Sequence, residues 1–213
     1  MASNIPMIRC VAIDPKWPVN RTLILRCLKE TYVRNKGTRL IAPVDYAPEE
    51  DIRDLRRYYE IIELKDGKPP RMNRLLEMAL KMIEGPLVWT CEQDAILHND
   101  QRDMAEAVFK NVDSNIVCLE LQSMGENGHL THPSPKARMK GAWKGLALTS
   151  FATFSCTLWR TEALKKIKWD QCRPHHGCDI NVSDQLHRVG YGLGMSRTLW
   201  YTHFGSLSWR QRK

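Results

Sequence analysis

Pro86-Leu87-Val88-Trp89-Thr90-Cys91-Glu92-Gln93-Asp94 decides the fold of this 213-residue chain. The run from Pro86 to Cys91 is apolar on both faces, as in a central parallel strand covered by helices on each side. It then ends on two carboxylates that flank one residue. Side chains alternate along a strand, so Glu92 and Asp94 are expected to point the same way. Such a pair offers hard oxygen ligands to magnesium or manganese, ions that also take phosphate oxygens from a substrate. The alternative is a solvated polar turn.

Upstream, strand and helix patterns alternate. Ile8 to Ile13 is a short strand ended by Asp14-Pro15. Asn20 is placed to cap a helix with Leu23, Ile24, Cys27 and Leu28 facing inward. Gly37 closes that helix, and Arg39 to Val44 is a second strand ending at Asp45. Pro48 opens a charged helix through Tyr58, and Tyr59 to Leu64 is a third strand. The stretch Lys65-Asp66-Gly67-Lys68-Pro69-Pro70 is a loop by composition. Met72, Leu75, Leu76, Ala79, Leu80 and Ile83 then fall on one face of a helix, which Gly85-Pro86 stops.

Downstream, Asn99 or Asp100 caps a helix carrying Met104, Val108 and Phe109, and Ile116 to Leu119 is a fifth strand. The order predicts a doubly wound α/β fold: a Rossmann-like, mostly parallel central sheet with helices on both faces, in a single domain. Ligands of such sheets bind outside the carboxyl ends of the strands. Those ends are Asp14, Asp45, Lys65-Asp66 and Glu92-Gln93-Asp94. The second half is less regular. Gln122 to Lys144 is a long polar and basic loop, Leu146 to Trp159 reads as strand, and Thr161 to Ile167 as a short helix. A further helix, Asn181 to Val189, has Val182, Leu186 and Val189 inside and Gly190 as its stop. Gly192 to Trp200 is a last strand, followed by His203 and a basic tail.

Composition limits the function classes. Ordinary apolar and charged fractions describe a globular chain, and no apolar run is long enough to cross a bilayer. Met1 to Cys10 has no charged start followed by an apolar block, so no signal peptide is read. The seven cysteines are odd in number, and the first five sit inside apolar patterns, which suits reduced thiols in a cytoplasmic setting. A net charge of +8 suits an anionic partner: nucleotide phosphates, nucleic acid or an anionic surface.

Four further features carry chemistry. Asp184 is placed at the start of its helix, where an acid either caps the helix or stays ionised as a general base. His203 is either a packing residue or a third metal ligand beside the carboxylates. Cys172, His175, His176 and Cys178 form a C-x-x-H-H-x-C cluster that is either a zinc site or an acceptor-contacting loop. Basic and aromatic residues mix in Lys136 to Lys144, around Trp143, and in Trp209 to Lys213, a pattern that binds phosphate backbones and stacks on bases or is simply solvated.

Taken in order, these segments resemble the GT-A fold glycosyltransferases, particularly the family 2-like group, over nearly the whole chain. Arg71-Met72-Asn73-Arg74-Leu75-Leu76-Glu77-Met78-Ala79 is similar to the family's basic-x-Asn segment, and Val88 to Ala95 to its strand ending in the DxD motif. Phe151 to Leu164, with Arg160, resembles the acceptor-side strand and helix; Val182 to Tyr191 resembles the segment with the catalytic carboxylate; His203 falls where the family has a metal-binding histidine. The first motif acid is Glu92 where aspartate is usual, and Ser183 precedes Asp184 where the family often has a second acid. The resemblance implies an inverting, metal-dependent transfer from a nucleotide-sugar, most simply a UDP-sugar. It implies a nucleotide-sugar half in residues 1–120 and an acceptor and catalytic half in 121–213. Asp94, His203 and Glu92 would hold Mn2+ or Mg2+, with Asp94 the better ligand. Asp14 and Asp45 would lie by the nucleoside, Lys68 and Arg71 by the diphosphate, and Asn73 and Gln93 beside the donor. Asp184 would be the base, and Trp143, Arg160, His175 and His176 would face the acceptor. The basic stretches make a hydroxymethylated base in DNA a plausible acceptor, one that would have to be extruded from a duplex; a glycan is the other.

Two other classes compete. A nucleotidyltransferase shares such a sheet but usually has a Gly-rich basic loop after the first strand, and Asp14-Pro15-Lys16-Trp17-Pro18 is not one. A non-catalytic nucleic-acid-binding module would use the basic stretches and would be indifferent to Asp94 and Asp184.

Overall fold

Residues 4–13, 18–64, 72–130, 139–143, 146–174 and 177–204 are described in the computed structural model of the chain. The expected first strand is present as two short pieces, β1 (Met7–Ile8) and β2 (Val11–Ala12), both paired in parallel with β3 (Leu40–Tyr46). On the outer side of β3 lies β4 (Glu60–Glu63), and on the inner side of β1 lies β5 (Leu87–Cys91), both parallel. The helices between them are α1 (Pro18–Arg34), α2 (Glu49–Leu55) and α3 (Met72–Leu80). Asn20 lies inside α1 and does not cap it, because the helix already begins at Pro18, a residue suited to a first turn.

After β5 come β6 (Ala95–Ile96), α4 (Asn99–Lys110) and β7 (Ile116–Met124). Here the sheet departs from simple parallel order. β10 (Cys156–Arg160) runs antiparallel between β5 and β7. The remaining strands are β8 (Met139–Trp143), β9 (Leu146–Thr149) and β11 (Gly192–His203). β11 is parallel to β7 and antiparallel to β9 and β6. The full path is β2-β3-β1-β5-β10-β7-β11-β9-β8, with β4 on β3 and β6 on β11. The sheet is therefore parallel in its first half and mixed in its second. The single strand expected over Leu146 to Trp159 is two strands in different places. Part of the expected loop Gln122 to Lys144 is strand β8; residues 131–138 and 144–145 lie outside the described residues.

Alternate residues of the central strands feed two cores, as period-2 geometry requires. Trp89 and Cys91 of β5 pack on one face with Ile24 and Leu28 of α1, Leu55 of α2 and Phe109 of α4. Val88, Ile8 and Trp159 pack on the other with Leu76 and Ala79 of α3, Leu164 of α5 (Thr161–Lys165) and Leu186 of α6 (Cys178–Arg188). Helices thus cover both faces. On α4 the buried stripe is Ala105 and Phe109; Met104 and Val108 are exposed. The buried tryptophans keep their polar ends satisfied. Trp89 Nε1 donates to Glu106 at 2.9 Å, and Trp159 Nε1 to Thr90 Oγ1 at 2.9 Å.

Candidate metal and active site

The acidic pair follows directly on the central strand. β5 stops at Cys91, and residues 92–95 form a turn, closed by the Ala95 amide donating to the Glu92 carbonyl at 3.1 Å. Glu92 and Asp94 thus converge through a turn and not through strand alternation. The turn is fixed from four directions. The Glu92 amide donates to Ser155 O at 2.8 Å, and the Phe204 amide donates to Asp94 O at 3.0 Å. The Ala12 amide donates to the Gln93 side-chain oxygen at 2.7 Å. Arg9 donates from beneath to Glu92 O at 2.6 Å and to Ala95 O at 2.7 Å.

The third member arrives from the far end of the chain. β11 is twelve residues long, with an irregularity in its pairing to β7 between Met195 and Trp200. Its last residues, Thr202 and His203, pair antiparallel with Ile96 and Ala95, which delivers His203 back onto the acidic turn. Its Nε2 lies 3.0 Å from Glu92 Oε2 and 3.4 Å from Asp94 Oδ1. Nδ1 lies 3.2 Å from Ser123 Oγ. Ligand atoms of Glu92, Asp94 and His203 all fall within 4.8 Å of one another. Asp94 and His203 are nearly buried, and Glu92 is partly open to solvent. Burial opposes a charged imidazole, but hydrogen bonds and Coulomb attraction from Asp94 and Glu92 outweigh it and lift His203 to about 10.

Two carboxylates and an imidazole suit Mn2+ well and Mg2+ acceptably, since both favour oxygen donors and Mn2+ takes nitrogen readily. Among the described residues the cluster offers three ligand groups, fewer than the six that Mg2+ takes. Ser123 supplies the orienting contact on the far ring nitrogen that metal-bound histidines generally have.

The other expected residues divide. Gln93 and Asn73 use their amides within the protein. Asn73 Nδ2 donates to Trp169 O at 3.0 Å and Cys172 O at 3.1 Å. With the Met72 amide on Pro174 O at 2.7 Å, these bonds tie the start of α3 to the segment leading into α6. Arg160 is not brought to the site. It sits opposite Leu87, at the other end of β5, with its guanidinium on the carbonyls of Ile116 and Val112 and over the Phe109 ring. Asp45, expected at the strand end, lies within β3, which runs on to Tyr46. Asp14, Lys68, Arg71, His175 and His176 lie outside the described residues, and Trp143 ends β8.

Asp184 requires a correction. The helix expected from Asn181 begins at Cys178, after Gly177 in a left-handed conformation (φ 83°). Asp184 is therefore in mid-helix and exposed, and the argument from a helix N-terminus does not apply to it. Asp179 occupies the first turn instead, where a helix favours an acid, and its Oδ1 accepts the Ile180 amide at 2.9 Å. Sequence reasoning missed Asp179, although Gly177 before it was a usable signal for a helix start. Ser183, by contrast, is buried, and its Oγ accepts the Ala152 amide at 3.1 Å. This fastens α6 to the segment that precedes β10 and carries Ser155. The start of α6 and the acidic turn also act on one side chain: burial, then Cys178 and Glu92, push the Cys10 thiol up. None of the seven cysteines is in a disulfide, and the Cys172 thiol donates to Lys168 O at 3.7 Å.

No family profile matches the sequence, and no curated protein is similar to it. Solved structures are. A mannosyltransferase from Pyrobaculum calidifontis, determined with GDP-Man and Mn2+, superposes at a TM-score of 0.64 with 16% identity over 94% of this chain. GalNAc-T7, determined with UDP, GalNAc and Mn2+, gives 0.64 with 10% identity over 94%. TarS residues 1–349 from S. aureus gives 0.60 with 16% identity over 94%. The chain spans 56%, 43% and 60% of those three chains, respectively. Among the described residues no helix is long and apolar enough to cross a membrane. The sheet, the acidic turn at the end of its central strand and these superpositions together establish that the chain has the GT-A fold.

Proposed function

We propose that the chain is a metal-dependent, inverting glycosyltransferase that moves a hexosyl group from a nucleotide-sugar, a UDP-sugar first, to an acceptor hydroxyl. One observation carries this reading: Glu92, Asp94 and His203 converge at the carboxyl end of the central strand of a GT-A sheet. Asp94 and His203, with Glu92 on the open side, hold Mn2+ or Mg2+, which when bound offsets charge on the departing nucleoside diphosphate. Glu92, Asp94 and His203 would hold the ion, and the ion would supply the positive charge that the donor's diphosphate meets at that turn. The same reading assigns Lys68 and Arg71 to the donor's diphosphate, and Asp14 and Asp45 to its nucleoside, from their positions in the sequence.

Asp179 takes over from Asp184 the role of general base. It removes the proton of the acceptor hydroxyl as that oxygen bonds to the sugar C1 and the C1–oxygen bond to the diphosphate breaks. A single in-line displacement inverts the anomeric centre. Asp179 sits in the first turn of α6, the end of a helix that suits a negative side chain. The acceptor proposed first is a hydroxymethylated base in DNA. Its support is the net charge of +8 and the basic-aromatic stretches at Lys136 to Lys144 and Trp209 to Lys213. Cysteines outside any disulfide agree with a cytoplasmic setting.

The test is a panel of UDP- and GDP-sugars read by thermal shift with Mn2+, followed by mass spectrometry of hydroxymethylated DNA incubated with the stabilising donor. A gain of one hexose mass on the DNA supports the full reading. Donor binding with hydrolysis but no DNA product removes the acceptor assignment alone. No metal-dependent shift with any donor refutes the glycosyltransferase reading.

A further inference from the structure

Arg9 is fully buried, an unusual setting for a permanently charged side chain. Its described partners are neutral oxygens. Nη2 donates to the carbonyls of Glu92 and Ala95, and Nη1 donates to Thr31 Oγ1 of α1. Nε is buried without a hydrogen-bond partner. An arginine kept only for stability would be matched by a carboxylate or replaced by an apolar residue, since burying an unmatched charge is costly.

The location supplies another reason. The two carbonyls on Nη2 bracket the turn that carries both metal-ligand carboxylates. A planar guanidinium fixes two acceptors in one geometry, which an ammonium cannot do. The Glu92 carbonyl also closes the turn through the Ala95 amide, so its orientation sets the direction of both side chains.

We propose that Arg9 is a positioning residue for metal binding, holding the 92–95 turn in the ligand-ready shape before the metal arrives and offsetting repulsion between Glu92 and Asp94 with its charge. This rests on the metal-site reading above.

The experiment measures Mn2+ affinity of the full chain from the electron paramagnetic resonance signal of free Mn2+, with circular dichroism as the check on folding. Arg9→Lys keeps the charge and loses the fork; Arg9→Gln keeps two donors and loses the charge. Both are expected to weaken Mn2+ binding roughly ten- to a hundredfold, the range for residues that orient metal ligands. Arg102→Lys is the control. Arg102 is also buried, on α4, and bonds Asn35 and Thr38 away from the turn. It should lower stability and leave Mn2+ affinity within about twofold. Wild-type affinity in both Arg9 variants overturns the proposal, and so does an equal loss in Arg102→Lys. If the Arg9 variants do not fold, Thr31→Val is read instead, because it removes the Nη1 anchor and leaves Arg9 in place. A loss of about threefold or more supports the proposal, and unchanged affinity overturns it. Asp94→Ala separates the two layers. Mn2+ binding that survives in Asp94→Ala refutes the metal site, and Arg9's role with it. Loss in Asp94→Ala with unchanged affinity in the Arg9 variants refutes the role of Arg9 alone.

Discussion

Raising the pH from 6 to 9 should tighten Mn2+ binding by about tenfold per unit, because the metal and a proton compete for His203 Nε2. That nitrogen lies 3.0 Å from Glu92 Oε2 and 3.4 Å from Asp94 Oδ1. The two carboxylates hold the proton there and lift the imidazole from its ordinary 6.5 to about 10, against the opposing effect of burial. A metal needs the neutral ring. At pH 7 the protein is about three units below that value, so deprotonation costs about 4 kcal/mol, or roughly a thousandfold in apparent affinity. The sign for stability follows from the same shift. A raised folded-state pKa stabilises the metal-free protein fully below about 6.5, and this contribution is lost as pH rises through about 10. The assay is Mn2+ titration at several pH values and constant ionic strength, with proton release found from calorimetry in buffers of different ionisation enthalpy. The expected results are a slope near one and close to one proton released per Mn2+ at pH 7. An affinity that stays flat across this range, with no proton released, refutes the reasoning about His203.

Two further predictions concern single residues. Asp179→Asn should leave Mn2+ and donor binding intact and lower transfer by about a hundredfold or more, whereas Asp184→Asn should change transfer little; product formation with a fixed donor distinguishes them. Gly194→Ala should destabilise the chain by about 1–3 kcal/mol in urea unfolding, since its Cβ would meet Cys118 O at 3.0 Å and Ile116 Cγ2 at 3.2 Å.

The first half of the fold was readable because its signals are local. The stripe Met72, Leu75, Leu76, Ala79 and Leu80 marks α3, and Gly37, with φ 86°, marks the end of α1. The second half depends on contacts distant in sequence. Nothing near Cys156 to Arg160 announces that this strand inserts antiparallel between β5 and β7. Continuous apolar character across Leu146 to Trp159 hid the change of position between β9 and β10. The start of α6 was set too late because Val182 and Leu186 dominate the pattern, while Cys178 is an equally buried first-turn position. The later start put Asp184, and not Asp179, in the first turn.

The metal cluster shows both sides of this. Glu92 and Asp94 stand out beside an apolar strand, and the shared direction expected of them is present, though produced by a turn. His203 joins them only through the last pairing of β11 with β6, a register that no local pattern encodes. Arg9 gave no signal, since one arginine in a short apolar run reads as a side chain turned to solvent. The sheet instead closes over it.

On the reading proposed above, the 92–94 turn and His203 bind a divalent metal together with a nucleotide diphosphate. The most direct test is the unfolding midpoint of wild type and Asp94→Ala with Mn2+, with UDP or GDP, and with metal and nucleotide together. Ligand at a hundredfold of its Kd stabilises the folded state by about 2.7 kcal/mol. For a chain of this length that is a rise of about 5–10 °C. In wild type, metal and a nucleotide together should give a rise of this size beyond that of Mn2+ alone, and Asp94→Ala should give none. No such rise with either pair, or an equal rise in Asp94→Ala, would contradict that reading.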